Sequence, residues 1–227
     1  MLTALAGETA LNGYCLVSGT ALALQAGHRR SLDIDLVLFA GTLDKTRLSR
    51  AMRERGATLI TPQSAITTAR INGFDLLTRV QDYVLDGIKV QCFIDPAGQH
   101  HAPGVRSVHG WRFGLMNLPT LFAMKSALLK RARSRDYFDL MWFCQHGNTL
   151  ADIVASAQAA DDAPDVPTIV EHKLLGLLPL DADDEGLDPV GVTVTAADIF
   201  RFFEDQVRQR EVAEARAILD AAERPAK

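Results

Sequence analysis

Two aspartates one residue apart, Asp33 and Asp35, are the residues of this sequence best suited to chemistry with a metal ion. They stand in a largely apolar run, residues 32–39, that predicts a strand. Side chains two residues apart on a strand point to the same face, so both carboxylates would lie side by side. Adjacent carboxylates repel each other unless a cation lies between them, and Mg²⁺ prefers such hard oxygen ligands. The spacing therefore predicts Asp33 and Asp35 as catalytic, metal-binding residues; the alternative is an ordinary strand with solvated acids.

The segment just before this strand carries groups that suit a phosphate. Ser18, Gly19 and Thr20 follow an apolar run, residues 14–17, and precede a helical stretch that Gly27 closes. A tight turn at a helix start offers backbone N–H groups, hydroxyls and the positive end of the helix dipole. The order strand, turn, helix and strand therefore predicts a phosphate-binding turn beside the carboxylates.

Residues 16–39, LVSGTALALQAGHRRSLDIDLVLF, resemble the minimal nucleotidyltransferase signature of the polymerase-β superfamily. The sequence of this segment is most similar to that of the AbiEii/AbiGii toxin family, whose usual motif is close to GGTALAL…GHR.S.D.DLF. Residues 20–32 separate Gly19 from Asp33, a spacing within that family's range. Ser18 stands where the family usually has its first glycine, a departure that bears on how closely the backbone can approach phosphate.

The superfamily usually carries a third carboxylate on a strand that follows the Asp-x-Asp strand. The predicted strand over residues 84–94 has Gln91 where that acid is expected. Asp95 shares the face of Gln91 but is four residues further along, about 13 Å away at ~3.3 Å per residue. Four possibilities stay open: Asp95 after a register shift, Asp75 from elsewhere, Gln91 as a neutral ligand, or no third ligand.

A second segment, residues 118–147, is similar to the family's second motif, a lysine on one helix and R-D-x-x-D-L at the start of the next. The resemblance implies that Lys125, as a mobile point charge, and Arg135 contact the nucleotide's phosphates. It also implies that Asp136 or Asp139, three apart on one helix face, acts as a general base or orients the acceptor hydroxyl. The alternative is structural, since acids in a first turn stabilise a helix.

Basic residues are concentrated in the same segment, which is the one local run able to hold a polyanion such as RNA. The run consists of Lys125, Lys130, Arg131, Arg133 and Arg135. A solvated helix face is the alternative interpretation. The whole chain of 227 residues has a formal net charge of −4, so composition alone does not indicate a nucleic-acid-binding protein.

Composition also indicates the cellular compartment of the protein. Cys15, Cys92 and Cys144 are odd in number and lie in apolar surroundings, which is typical of reduced, buried thiols in a cytoplasmic protein. No apolar run approaches the ~20 residues of a membrane span, and the N-terminus lacks the basic region of a secretory signal. We therefore expect a cytoplasmic protein without a membrane partner.

The element pattern predicts an α/β (α+β) fold: a small mixed β-sheet core with flanking helices, then a mostly helical C-terminal half. Helices are expected over residues 43–55, 149–160, 168–178 and 196–222, and strands over residues 58–61, 71–80 and 84–94, with Asp86-Gly87 as a tight turn. The predicted domains are a nucleotidyltransferase core, residues 1–117, and a helical domain, residues 118–227.

The resemblance implies metal-dependent transfer of a nucleoside monophosphate from an NTP, with Mg²⁺ as cofactor. The acceptor would be tRNA or another RNA, and the protein would be the toxin of a toxin–antitoxin pair with an antitoxin partner. Two alternatives remain: a non-catalytic nucleotide- or partner-binding relative, and a nucleotidyltransferase that modifies a small molecule such as an antibiotic.

Overall fold

The computed structural model describes residues 2–39, 41–95 and 104–222. The chain separates into two compact units, Met1–Leu121 and Phe122–Lys227, here called the N-terminal and C-terminal units. The division falls within the helix Leu118–Ala127.

The N-terminal unit is built on a mixed sheet, which confirms the predicted α/β class. In the described part of the chain this sheet has seven strands in the order β3-β4-β5-β2-β1-β7-β6. The strands are β1 Cys15–Val17, β2 Asp33–Leu38, β3 Thr58–Leu59, β4 Val80–Leu85, β5 Ile88–Ile94, β6 Val105–Arg106 and β7 Gly114–Met116.

Helices occupy most of the remaining described residues. They are α1 Leu2–Ala6, α2 Ser18–Ala26, α3 Lys45–Glu54, α4 Gln63–Ile71, α5 Leu118–Ala127, α6 Ser134–Gln145, α7 Leu150–Ala160, α8 Val166–Leu174 and α9 Ala196–Ala222. Within the described ranges, none of these helices combines the length and the apolar character that a bilayer crossing requires.

Strand β2 lies in the middle of the sheet, antiparallel to β1 and parallel to β5. Its Ile34 and Leu36 are buried, while Asp33 and Asp35 are half-buried on the opposite face. This alternation follows from the period of two along a strand. One face of the sheet therefore belongs to the core, and the other presents the two carboxylates.

The β4–β5 hairpin follows the turn chemistry that the sequence predicts. Asp86 and Gly87 both have positive φ, 51° and 77°, as a two-residue turn of the right twist requires. On the core face, Tyr83 of β4 is buried, and its hydroxyl lies 3.2 Å from Ser49 Oγ of α3. Helix α3 thus packs on the face opposite the carboxylates.

The strand predicted over residues 71–80 is wrong. The chain there is the end of α4, a 3₁₀ turn over Leu76–Thr78, and only then β4. Gly73, with φ of 81°, and the carboxylate of Asp75, which accepts a hydrogen bond from Leu77 N, break the extended conformation. Ile71 and Phe74 are exposed, so the apolar residues of this segment do not mark the buried face of a strand.

The C-terminal unit is helical, as predicted. Helix α9 runs over the predicted span and buries Ile199 and Phe203 completely. Arg210 of α9 donates to Glu171 of α8 at 2.6 Å. Apolar burial near the start of α9 and this ion pair further along hold the helices of the unit together.

Candidate nucleotide and metal site

The predicted turn over Ser18, Gly19 and Thr20 is the first turn of a helix beside β2. Helix α2 begins at Ser18, directly after β1, and its N-cap residue is Val17, whose side chain cannot accept a hydrogen bond. The hydroxyl of Thr20 donates to the backbone carbonyl of Asp33, which ties the first turn of α2 to the first residue of β2. The N–H groups of a helix start, which attract anions, are thereby fixed next to the carboxylate pair.

Ser18 adopts a left-handed backbone conformation, with φ of 61°. A residue with a Cβ is strained there, which gives a physical reason for the glycine that the family usually has at this position. We expect Ser18→Gly to raise the free energy of unfolding by about 0.5–1 kcal/mol, as relief of strain outweighs the greater freedom of the unfolded chain. Urea denaturation of both proteins measures this; an equal or lower stability of the glycine variant would contradict it.

Gly19 is held against a buried arginine. A Cβ at this position would lie 2.6 Å from Arg29 Nη2 and 3.2 Å from Ser31 Oγ, so only glycine fits without a shift. Arg29 is only 4% exposed, and its Nη1 donates to the carbonyl of Arg30 at 3.0 Å. Arg29 was not predicted as a site residue, although its guanidinium lies beside Gly19 in the first turn of α2.

The strand register identifies what stands at the position of the third carboxylate. Asp35 of β2 pairs with Gln91 of β5, and Gln91 pairs with Asp82 of β4. Directly paired residues on neighbouring strands share a face, so these three side chains form one row, here called the Asp35–Gln91–Asp82 row. Within it, Gln91 Nε2 donates to Asp82 Oδ1 at 2.6 Å.

Two of the open alternatives for a third ligand do not hold. The pairing of β2 with β5 continues without a shift to Leu38 and Ile94, so Asp95 stays four residues from the Asp35–Gln91–Asp82 row. Asp75 caps a 3₁₀ turn and forms an ion pair with Lys45 on the surface. Among the described residues, no group of three or more His, Cys, Asp or Glu side chains is placed to hold a metal ion.

In the C-terminal unit, the residues of the second motif meet in a buried ion cluster. Lys125 Nζ lies 2.6 Å from Asp136 Oδ1 and 2.7 Å from Asp139 Oδ2, and Lys125 and Asp139 are almost fully buried. Arg131 Nε donates to the other oxygen of Asp136 at 2.7 Å. Lys125 is a fixed ion-pair partner here rather than a mobile charge, and its contact with a nucleotide phosphate stays a prediction, as do the catalytic roles of both aspartates.

The charge of Asp136 makes the stability of this cluster depend on pH. Burial by itself would raise the pKa of the Asp136 carboxyl, but Lys125 and Arg131 outweigh it and hold the pKa below its usual range. The carboxylate therefore stabilises the fold above the unfolded-state pKa of about 3.9, and this contribution is lost as pH falls through the lower folded-state pKa.

We expect Asp136→Asn to cost stability at pH 7, and we expect this cost to shrink progressively as pH falls below about 3.9 and then through the lower folded-state pKa of Asp136. Urea denaturation of both proteins across this range measures the difference. A difference that stays constant with pH would show that the charge of Asp136 does not stabilise the fold.

The other members of the predicted basic run also pair with acids. Arg133 Nη2 lies 2.5 Å from Asp183 Oδ2, and Arg135 Nη2 lies 2.9 Å from Glu185 Oε2. The side chain of Lys130 lies outside the described residues. The described side chains of the run are thus largely neutralised within the unit, and its role in RNA binding stays a prediction, as does the contact of Arg135 with phosphate.

A mixed sheet that presents paired aspartates beside a helix start is the arrangement of a nucleotidyltransferase. Residues 19–221 match the family described as "Nucleotidyl transferase AbiEii toxin, Type IV TA system". The match covers most of the sequence, so the chain belongs to the AbiEii family of nucleotidyltransferase toxins of type IV toxin–antitoxin systems. The resemblance found in residues 16–39 is confirmed.

Solved structures of low sequence identity share most of the chain's length. The crystal structure of JHP933 from Helicobacter pylori is 17% identical, with a TM-score of 0.47, and the match covers 98% of this chain and 95% of that one. The crystal structure of a candidate nucleotidyltransferase from H. pylori is 16% identical, with a TM-score of 0.46, covering 93% of this chain and 94% of that one. No curated protein sequence matches this chain.

Proposed function

We propose that this toxin transfers a nucleoside monophosphate from an NTP to an acceptor hydroxyl, with Mg²⁺ held by Asp33 and Asp35. The observation that carries the proposal is the tie between Thr20 and the backbone of Asp33. It fixes a helix start suited to phosphate beside two carboxylates suited to a divalent cation. A bound Mg²⁺–NTP would satisfy both halves of this arrangement at once.

The chain's own residues supply binding and orientation. The N–H groups at Ser18, Gly19 and Thr20 donate to the phosphates, and the charge of Arg29 adds to the positive potential of the helix start. In the transfer, the acceptor hydroxyl releases its proton to solvent and its oxygen forms a bond to the α-phosphorus. The bond from the α-phosphorus to the oxygen that bridges to the β-phosphorus breaks, and pyrophosphate leaves with that oxygen and the electron pair. Bound Mg²⁺ would supply Lewis acidity toward the acceptor hydroxyl and the leaving pyrophosphate.

The acceptor that we propose is an RNA, with tRNA as the first candidate. Family membership supports this, because a toxin that stops growth by nucleotidyl transfer needs an acceptor that the cell cannot spare. The cytoplasm is the compartment we propose, since NTP and tRNA are both available there. We further propose that a cognate antitoxin opposes the activity, in keeping with the type IV family description.

The experiment is incubation with total tRNA, Mg²⁺ and each of four α-labelled NTPs in turn. We expect label in RNA from one or more NTPs, and none with Asp33→Asn/Asp35→Asn or after chelation by EDTA. Equal labelling by wild type and the double variant would overturn the proposal.

A second candidate, a relative that binds nucleotide without turnover, is favoured by one observation: Gln91 stands beside Asp35 where the superfamily has an acid. That reading predicts Mg²⁺-dependent NTP binding with no label transferred to any RNA. The same four-NTP experiment, combined with a binding titration, separates the two candidates.

A further inference from the structure

The Asp35–Gln91–Asp82 row raises the question of what completes the metal site. Asp35 and Asp33 supply two carboxylates, and the row continues with an amide and only then another acid. Neighbouring strands lie about 4.8 Å apart, so Asp82 is two strand spacings, roughly 10 Å, from Asp35 along the row. Asp82 is too remote to bind the same ion as Asp35 directly, whereas Gln91 is adjacent.

The amide of Gln91 has a fixed orientation. Its nitrogen donates to Asp82 Oδ1 at 2.6 Å, the short distance typical of a hydrogen bond to a charged acceptor. A glutamine amide has one donor group and one acceptor oxygen. Because the donor group is engaged by Asp82, the oxygen is the atom left to accept or to coordinate, and the carboxylate polarises the amide so that this oxygen becomes more negative.

Asp82 is itself held firmly, as an orienting group must be. Its backbone N–H donates to Thr61 Oγ1 at 2.8 Å, and its carbonyl accepts from Ile60 N at 2.8 Å. Its side chain is 15% exposed, and Lys89 Nζ lies 3.9 Å from Oδ1. Asp82 therefore has a fixed backbone, a nearby cation and one amide to orient.

From this geometry we infer that the oxygen of Gln91 is the third protein ligand of the metal site, and that Asp82 is the residue that positions it. This inference rests on the proposed function. It gives the site two carboxylates and one neutral oxygen instead of three carboxylates. The lower negative charge weakens binding of the free ion and leaves more of the coordination to the phosphates of the NTP.

The test is a titration of the intact chain with Mn²⁺ alone. The concentration of free Mn²⁺ is measured from its electron paramagnetic resonance signal, which gives the affinity of the chain for the ion. We expect Gln91→Ala and Asp82→Ala each to weaken binding about 10-fold, the effect typical of losing an orienting partner or the ligand it orients. The double alanine variant should bind no more weakly than Gln91→Ala, because Asp82 acts through Gln91. Additive losses would overturn the positioning role of Asp82.

Two further variants separate orientation from charge. Asp82→Asn keeps an acceptor oxygen for the Gln91 amide, so we expect Mn²⁺ affinity within about 2-fold of wild type. A loss equal to that of Asp82→Ala would contradict positioning. Gln91→Glu combined with Asp82→Asn reverses the hydrogen bond and adds a carboxylate, so we expect binding about 10-fold tighter than wild type. Weaker Mn²⁺ binding by this double variant than by wild type would also contradict the inference.

Failure of this inference is distinguishable from failure of the proposed function. Asp33→Asn/Asp35→Asn serves as the reference variant, and circular dichroism checks that every variant is folded. Loss of Mn²⁺ binding in the reference variant, with wild-type binding in Gln91→Ala and Asp82→Ala, would reject Gln91 as a ligand and leave the proposed function standing. A wild-type chain that binds no Mn²⁺ would also reject Gln91 as a ligand, whereas the proposed function is decided separately by the transfer of label from NTP to RNA.

Discussion

Asp35→Asn is expected to lower the rate of nucleotidyl transfer by about 10³-fold or more while leaving the protein folded. The reason is that an asparagine oxygen carries no net charge, so the site loses half of the carboxylate charge that holds the divalent ion. Without metal, removal of one of two neighbouring carboxylates relieves repulsion, so thermal stability should not fall. Initial rates of label transfer and the melting temperature of both proteins measure the two effects.

A matched control for this change is available on the same sheet. Asp86 lies in the β4–β5 turn with φ of 51°, a conformation that asparagine tolerates as well as aspartate. Asp86→Asn removes the same charge and should leave the transfer rate within about 2-fold of wild type. If Asp35→Asn retained the activity of this control, Asp35 would not be a catalytic residue.

Lys125→Met is expected to destabilise the C-terminal unit by about 3–5 kcal/mol. The substitution keeps an unbranched apolar stem but leaves the carboxylates of Asp136 and Asp139 buried without their shared cation. Breaking a buried ion pair by removing one partner costs far more than losing an exposed pair. Urea denaturation followed by circular dichroism measures the loss in the free energy of unfolding.

Lys45→Met supplies the comparison. Lys45 pairs with Asp75, but both side chains are well exposed, 46% and 39%, so we expect a far smaller cost than for Lys125→Met. Equal costs for the two substitutions would mean that burial does not make the Lys125 cluster important for stability. A large cost also means that lost activity in Lys125→Met does not by itself assign Lys125 a role in catalysis.

Local patterns in the sequence predicted much of the architecture. The alternation around Asp33 and Asp35, the Asp86-Gly87 turn and the span of α9 all depend on neighbouring residues, and the structure has them as expected. Helix α4 and strand β7 were missed. Strand β7 is three residues long and exists because it pairs with β1, a long-range contact that local propensity does not encode.

In the candidate site too, some residues could be predicted from local sequence and others could not. Ser18, Gly19 and Thr20 could be proposed because their order along the chain resembles a known signature. Asp82 was missed, although the Asp86-Gly87 turn fixes its pairing with Gln91, because the preceding strand was predicted over residues 71–80 and not over Val80–Leu85. Lys125 could be chosen as a functional residue, but its burial between two aspartates depends on how two helices pack, so a mobile charge was predicted instead.

The position of the metal tests the central claim most directly. Crystals of the wild-type chain grown with Mn²⁺ and a non-hydrolysable NTP analogue would locate the ion by anomalous scattering. The account predicts a peak coordinated by Asp33 and Asp35, with the triphosphate at the first turn of α2. A peak elsewhere, or a triphosphate bound away from Ser18 to Thr20, would contradict it.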